Sequence, residues 1–286
     1  MDKKYTEAQL AGLKIPVFSL PWPGNISPDV SLVVERMIEW AENHSLFVNE
    51  TYRERVKRTR YAWLAARCYP NTDRELLQVL ANYFVWYFLV DDLFNSWLNI
   101  CQVLRRLLSH EHFERFAQGM RLWATAAGLQ ILNHLQEKPA GVAQYETIRR
   151  HTSSMNPCLA LSDIVNYVQK LCQHTNNIVC WTNDIQSLLV EAHQPRQFWN
   201  MVSTYASSGR TFQESIDCTA ARVEMEINKF KKLSDAITQS ACKELCGLID
   251  GWEYWICGYM DWVAHDTQRY AQRFASTDAD DRNVLG

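Results

Sequence analysis

The chain has no proline beyond Pro195. Helices there can run without a ring to break them. No stretch alternates apolar and polar residues for long enough to make a strand, and no internal repeat is evident. The longest strongly apolar run, Tyr83 to Val90, is far too short to span a bilayer. Basic runs are absent and the formal net charge is −3, which argues against nucleic acid or an anionic membrane as the main partner. There is no CxxC pair, and Cys242 and Cys246 have no His nearby in sequence. The nine cysteines, an odd number scattered from Cys68 to Cys257, read as buried free thiols in a reducing compartment. Met1 to Leu10 lack the apolar core of a signal peptide, so a cytoplasmic location is expected.

At 286 residues the chain can bury one large core or two modest ones. It is 47% hydrophobic and 21% charged, as a soluble globular protein is. Eleven Trp, twelve Tyr and eleven Phe make a heavy aromatic load. Aromatics usually fill cores, so the load only hints at a pocket.

Residues 1–26, with Pro16, Pro21 and Pro23, read as an extended strap. Ser27-Pro28 looks like an N-cap followed by proline at the first helical position. Helical spacing follows in Val30, Val33, Val34, Met37 and Ile38, and a second helix is expected from Asn49 to Cys68. Thr72 and Glu75 suggest a capping box that opens a long helix reaching Asp91. Further helices are expected over 96–108, 110–137, 142–151, 159 to about Pro195, 211–233, 240–248 and 252–274. Thr152 to Ser154 and Asn156-Pro157 read as a break, and residues 275–286 as a polar tail. The sum is all-α: one domain over 27–274 of about ten to twelve helices around a central cavity.

Three polar residues stand out on an apolar helix. Asn183, Ser187 and Glu191 lie at i, i+4 and i+8, which stacks them on one face. An amide oxygen, a hydroxyl and a carboxylate in a column suit Mg²⁺, which takes few protein oxygens and keeps room for phosphate and water. An amphipathic helix with a wet face would read the same way. Asp91 and Asp92 follow the aromatic run directly, with Asn95 one turn beyond Asp91. Acids there call for a cation or a basic partner, or for a helix end that reaches solvent.

Taken together these motifs resemble the class I terpene synthases in their microbial form. The matching stretches are D-D-x-x-N at Asp91 to Asn95, N-D-x-x-S-x-x-x-E at Asn183 to Glu191, and R-Y at Arg269-Tyr270, with Trp262 and Thr267 ahead of that pair. F-S-L-P-W-P followed by S-P-D-V resembles the usual start of microbial members, and the likeness covers about residues 16–274. The resemblance implies an isoprenyl diphosphate cyclase, most simply a sesquiterpene cyclase acting on farnesyl diphosphate, as monomer or homodimer. It implies a cluster of three Mg²⁺ ions held by Asp91 and by Asn183, Ser187 and Glu191. Asp92 and Asn95 would stand behind the metal, and Arg150 would sense the diphosphate. Ser153 and Ser154 would occupy the linker and effector positions of the helix break, and Arg269 and Tyr270 would bond the diphosphate.

An allylic cation needs a dry site lined by faces that stabilise it without reacting. Phe84, Tyr87 and Phe88 precede Asp91 at helical spacing, and Trp255, Tyr259 and Trp262 precede Arg269. Both rows are expected to line the pocket. The chain departs from the pattern in three places. Val190 stands where many members carry a basic residue. Only 32 residues separate Arg150 from Asn183, with a loop missing near Val165 to Lys170. Asn95 runs straight into S-W-L-N-I-C, where a longer acidic connection is usual. A mono- or diterpene cyclase, a chain-elongating prenyl synthase, or a helical binding protein with a vestigial metal site are the rival readings.

Overall fold

A computed structural model of the chain describes residues 7–89, 94–135, 140–153, 155–160, 169–192, 199–239 and 241–270. The described secondary structure is helical: α1 (Glu7–Leu10), α2 (Val30–Asn43), α3 (Glu50–Thr59), α4 (Tyr61–Cys68), α5 (Arg74–Leu89), α6 (Phe94–Leu107), α7 (His110–Leu135), α8 (Val142–Thr152), α9 (Met155–Ala160), α10 (Gln169–Ala192), α11 (Met201–Ser207), α12 (Phe212–Thr238) and α13 (Lys243–Asp261). A π-helical turn, Trp262–Asp266, continues α13. None of these helices is long and apolar enough to cross a membrane. By its internal contacts the chain divides into two compact units. The first comprises Met1–Ser19, Phe116–Leu245 and Tyr270–Gly286, the second Leu20–Arg115 and Cys246–Arg269.

In the first unit the pairing of α10 with α12 is the most extensive, and α8 and α11 pack beside it. Ile185, Leu188 and Ala192 of α10 bury against Val202, Phe212, Ile216 and Ala220. Leu10, Leu13, Ile15 and Phe18 of the N-terminal strap close over that cluster. The strap is pinned by a two-way bond: Lys14 N donates to Gln213 Oε1 at 2.9 Å, and Gln213 Nε2 donates to Lys14 O at 3.3 Å. At 100° per residue, Ile185, Leu188, Leu189 and Ala192 fall on the side of α10 away from Asn183, Ser187 and Glu191. Strap and core therefore hold the back of the helix and leave the polar column to another face. A capping box of Thr211 and Glu214 opens α12.

In the second unit α2, α4 and α5 pack together. The buried stripe of α2 is Val30, Val33, Met37, Ile38 and Ala41, the spacing of one helical face. Several boundaries differ from expectation. Helix α2 starts after Asp29, two residues later than Ser27-Pro28 suggested; the Ser27 hydroxyl accepts from Asp29 N at 3.3 Å. Helix α5 is opened by Asp73, whose carboxylate accepts from Leu76 N at 2.9 Å, so Asp73 and not Thr72 does the capping. In the first unit, Asn156-Pro157 sits inside α9, where a first-turn proline loses no helical bond. The two expected C-terminal helices are one, α13, which runs through Gly247 and Gly251.

The expected helix over 49–68 is two helices, broken at Arg60, which takes a left-handed conformation (φ 53°, ψ 50°). That costs about 1–2 kcal/mol for a residue with a Cβ. The freed carbonyls are taken up by the far end of the chain. The Trp262 indole N–H donates to Thr59 O at 3.1 Å and Arg60 O at 3.0 Å, and Gln268 N donates to Arg58 O at 3.2 Å. Arg67 of α4 pairs with Asp266 in the π turn and reaches Asp261 at 3.3 Å. Helix α13 comes this close to α4 because Gly258 has no side chain. A Cβ there would lie 2.7 Å from the Arg67 carbonyl carbon and oxygen, both backbone atoms. Gly258→Ala is expected to destabilise the protein by about 1–3 kcal/mol through overpacking. Urea unfolding should show the loss as a lower midpoint at unchanged slope.

Candidate active site

The polar column lies on α10, but it is not a wet face. Ser187 is 6% exposed, and Asn183 and Glu191 are only partly exposed. The Ser187 hydroxyl lies close enough to Glu191 to favour its charged form, yet has hydrogen-bonding geometry with no described group. Glu191 accepts from Asn200 Nδ2 at 3.0 Å through Oε2. Burial pushes the Glu191 pKa up, and the neighbouring Asp184 adds to this; Asn200, Ser187 and Arg149 work against it. Asn183 Oδ1 accepts from Arg149 at 2.9 Å, and its Nδ2 donates to the Tyr270 hydroxyl at 2.7 Å. These three oxygens fit a hard divalent cation: a buried hydroxyl in need of a partner, a carboxylate that burial disfavours, and an amide oxygen held beside them.

Behind the column is a buried pair absent from the candidates read in the sequence. Asp184, fully buried, accepts from Arg149 Nε at 3.1 Å and Arg149 NH2 at 2.9 Å. Its other oxygen accepts from the Tyr145 hydroxyl and from Met201 N, the latter at 3.1 Å. Burial would lower the Arg149 pKa, but Asp184 and its neighbours hold it well above the ordinary value. Burial and Asp184 together push the Tyr145 phenol well up, so it stays a donor. The pair ties α8, α10 and the head of α11 together, and through Arg149 it also fixes Asn183.

The adjacent Arg150 takes another path. Its Nε donates to Asn177 Oδ1 at 3.3 Å, and its terminal nitrogens donate to no described residue. Asn177 Nδ2 in turn donates to Glu226 Oε2 at 2.9 Å. His174 Nδ1 and Lys229 Nζ also bond Glu226, at 2.7 and 2.8 Å. Burial would raise the Glu226 pKa, but these bonds outweigh it and hold the carboxyl at about 2. Ser153 ends α8 and bridges the break: its hydroxyl donates to Arg150 O and accepts from Met155 N, both at 3.3 Å.

The aromatic rows both fall in the second unit. Phe84 meets Trp255 edge to face at 5.8 Å, and Tyr69 contacts both rings. Tyr87 packs on Phe88 at 5.4 Å, and Tyr259 on Trp262 at 6.0 Å. Tyr61, not anticipated, links the rows by stacking on Phe88 at 4.7 Å and facing Trp262 at 6.4 Å. Arg269 donates to the Tyr61 hydroxyl at 2.8 Å and lies 4.8 Å over the Phe88 ring. Trp262 is fully buried with its N–H on two carbonyls, which gives it a packing role. Tyr87 and Phe88 keep some exposure. Asp91, Asp92 and Ser154 lie outside the described residues, as does the side chain of Asn95 on α6.

The fold and this helix column define a class. Residues 85–229 match the family described as terpene synthase family 2, C-terminal metal binding. A sesquiterpene synthase of Metarhizium brunneum (strain ARSEF 3297) is 52% identical, over 99% of this chain and 96% of that protein. A (+)-corvol ether B/(+)-corvol ether A synthase of Kitasatospora setae is 44% identical, over 94% of this chain and 99% of its own. A linalool/nerolidol synthase structure from Streptomyces clavuligerus superposes with a TM-score of 0.77 at 17% identity, covering 86% of this chain and 99% of that one. The chain belongs to the terpene synthase family, as a class I enzyme of microbial type. The Metarhizium alignment runs over 329 positions against 286 residues here, so that relative carries residues with no counterpart in this chain.

Asp184→Asn removes the charge that Arg149 is buried against. The expected cost is about 3–5 kcal/mol, read from urea unfolding. Glu226 gives a pH signature. Its folded pKa lies below the ordinary 4.5, so its stabilisation is full above that value and fades as pH falls towards 2. Between these limits the melting temperature of the wild type should fall more steeply than that of Glu226→Gln.

Proposed function

We propose that the protein is a Mg²⁺-dependent sesquiterpene cyclase that ionises farnesyl diphosphate, cyclises the cation and releases diphosphate. The observation that carries the reading is the column on α10, where the buried Ser187 hydroxyl sits between Asn183 and Glu191 and makes no well-formed hydrogen bond among the described residues. Support for the substrate comes from the Kitasatospora relative, whose name specifies cyclisation of (2E,6E)-farnesyl diphosphate. Asn183, Ser187 and Glu191 would hold one Mg²⁺, and Asp91 others, with Asp92 and Asn95 behind it. When bound, the ions supply positive charge that neutralises the departing diphosphate.

The chain's own residues do the rest. Arg150 offers its terminal N–H groups to the diphosphate, oriented by Asn177 through Nε. Ser153 bridges it to α9 by accepting from Met155 N and donating to Arg150 O, and Ser154 would follow as the effector position. Arg269 and Tyr270 donate hydrogen bonds to the same anion. Phe84, Tyr87, Phe88, Trp255 and Tyr259 present ring faces that stabilise a passing cation and carry no nucleophile stronger than a phenol. Water must stay out until the ring is formed, because an allylic cation is quenched at once.

The test is product analysis after incubation with geranyl, farnesyl and geranylgeranyl diphosphates and Mg²⁺. A cyclic sesquiterpene from farnesyl diphosphate is expected, and no terpene from any of the three would overturn the reading. Glu191→Gln should abolish Mg²⁺-dependent turnover while leaving the helical circular dichroism unchanged. Phe88→Leu should redistribute products at similar substrate consumption.

A further inference from the structure

Asn200 is the residue that makes the most of its position. It is fully buried, at the head of α11, and none of its side-chain hydrogen-bonding atoms is idle. Its Oδ1 accepts from Val202 N at 2.9 Å, the N-cap bond of α11. That bond settles which end of the amide faces which way. Nδ2 must then point back towards α10, where it donates to Asp184 O at 2.6 Å and to Glu191 Oε2 at 3.0 Å. An amide nitrogen has two hydrogens, and both are used.

We propose that Asn200 is a positioning residue for the metal-binding carboxylate Glu191, and that the N-cap of α11 is the device that aims it. This rests on the reading of Glu191 as a Mg²⁺ ligand. A long glutamate at the last turn of a helix has several rotamers. The bond from Asn200 picks one of them. It engages Oε2, at 3.0 Å. The same side chain fixes the Asp184 carbonyl, and Met201 N, the next donor of α11, holds the Asp184 carboxylate at 3.1 Å. The metal column and the head of α11 are thereby one rigid unit. Outer partners of metal ligands commonly set metal affinity by ten- to a hundredfold.

Serine separates the two duties of this residue. It caps a helix as well as asparagine does, but is too short to reach Glu191. Binding of Mn²⁺ or Mg²⁺ to the whole protein with inorganic diphosphate is measured by calorimetry for wild type, Asn200→Ser, Asn200→Thr, Glu191→Gln and the Glu191→Gln/Asn200→Ser pair. Expected are metal affinity weakened about tenfold or more in both Asn200 variants, a melting temperature close to wild type, and no further loss from Asn200→Ser once Glu191→Gln is present. In turnover, the Mg²⁺ concentration for half-maximal rate should rise more than kcat falls at saturating Mg²⁺. Wild-type metal affinity in Asn200→Ser, with Glu191→Gln weakened, overturns this inference and leaves the metal column intact. Wild-type affinity in Glu191→Gln overturns the reading beneath it. If neither Asn200 variant folds, the residue is structural and the proposal fails.

Discussion

The fully buried Asp184 carboxylate is the constraint on which the first unit's site depends. A charge with no exposure is tolerable only if every lone pair is met. Here Arg149 supplies two N–H groups to one oxygen, while the Tyr145 hydroxyl and Met201 N serve the other. These donors come from α8 and α11, so three helices are fixed to one another by a single carboxylate. Such a pair adds little net stability over an apolar core, because desolvation offsets most of the attraction. Its effect is geometric. Asn183, the next residue along α10, receives the same guanidinium, and Asn200 bonds the carbonyl of Asp184 on its way to Glu191. Both ends of the polar column thus take their orientation from Asp184.

Two adjacent arginines divide the work around it. Successive residues on a helix point about 100° apart, so Arg149 and Arg150 cannot share a partner. Arg149 turns inward and is consumed by Asp184. Arg150 turns sideways and meets Asn177, whose amide is aligned by Glu226, itself held ionised by His174 and Lys229. One guanidinium is saturated by protein groups. The other has its terminal nitrogens clear of the described residues, the state suited to meeting an anion that arrives later.

The polar column was legible because helical periodicity alone stacks Asn183, Ser187 and Glu191. The aromatic rows followed from the same rule, since Phe84, Phe88, Trp255 and Tyr259 repeat at one-turn spacing. What periodicity cannot reach is a partner beyond a loop. Asn200 lies nine positions after Glu191 with α10 already ended, and nothing in F-W-N-M-V marks it as more than a helix cap. Tyr61 and the contact of Trp262 with the Arg60 turn were opaque for a related reason. The left-handed turn at Arg60 has no glycine to announce it; it exists because an indole some two hundred residues away takes the freed carbonyls. Likewise α13 was read as two helices, 240–248 and 252–274, whereas one helix runs through Gly247 and Gly251 despite a cost of about 1 kcal/mol each.

The shortness of the chain can be weighed in the same terms. Its Metarhizium relative spans more positions, and the family resemblance implies shortfalls after Asn95 and near Val165 to Lys170. Shortening a flexible connection changes loop-closure entropy only slowly with length, so the helices it joins can persist. The bonds that orient the column bear this out in kind. They run among Tyr145, Arg149, Asn183, Asp184, Glu191, Asn200 and Met201, and the strap from Leu10 to Phe18 braces the opposite side of α10. None of them draws on the shortened segments. A polar column held by buried helix contacts is insulated from the length of the loops beside it. The burden of loop variation falls instead on what those loops themselves would contribute near Asp91.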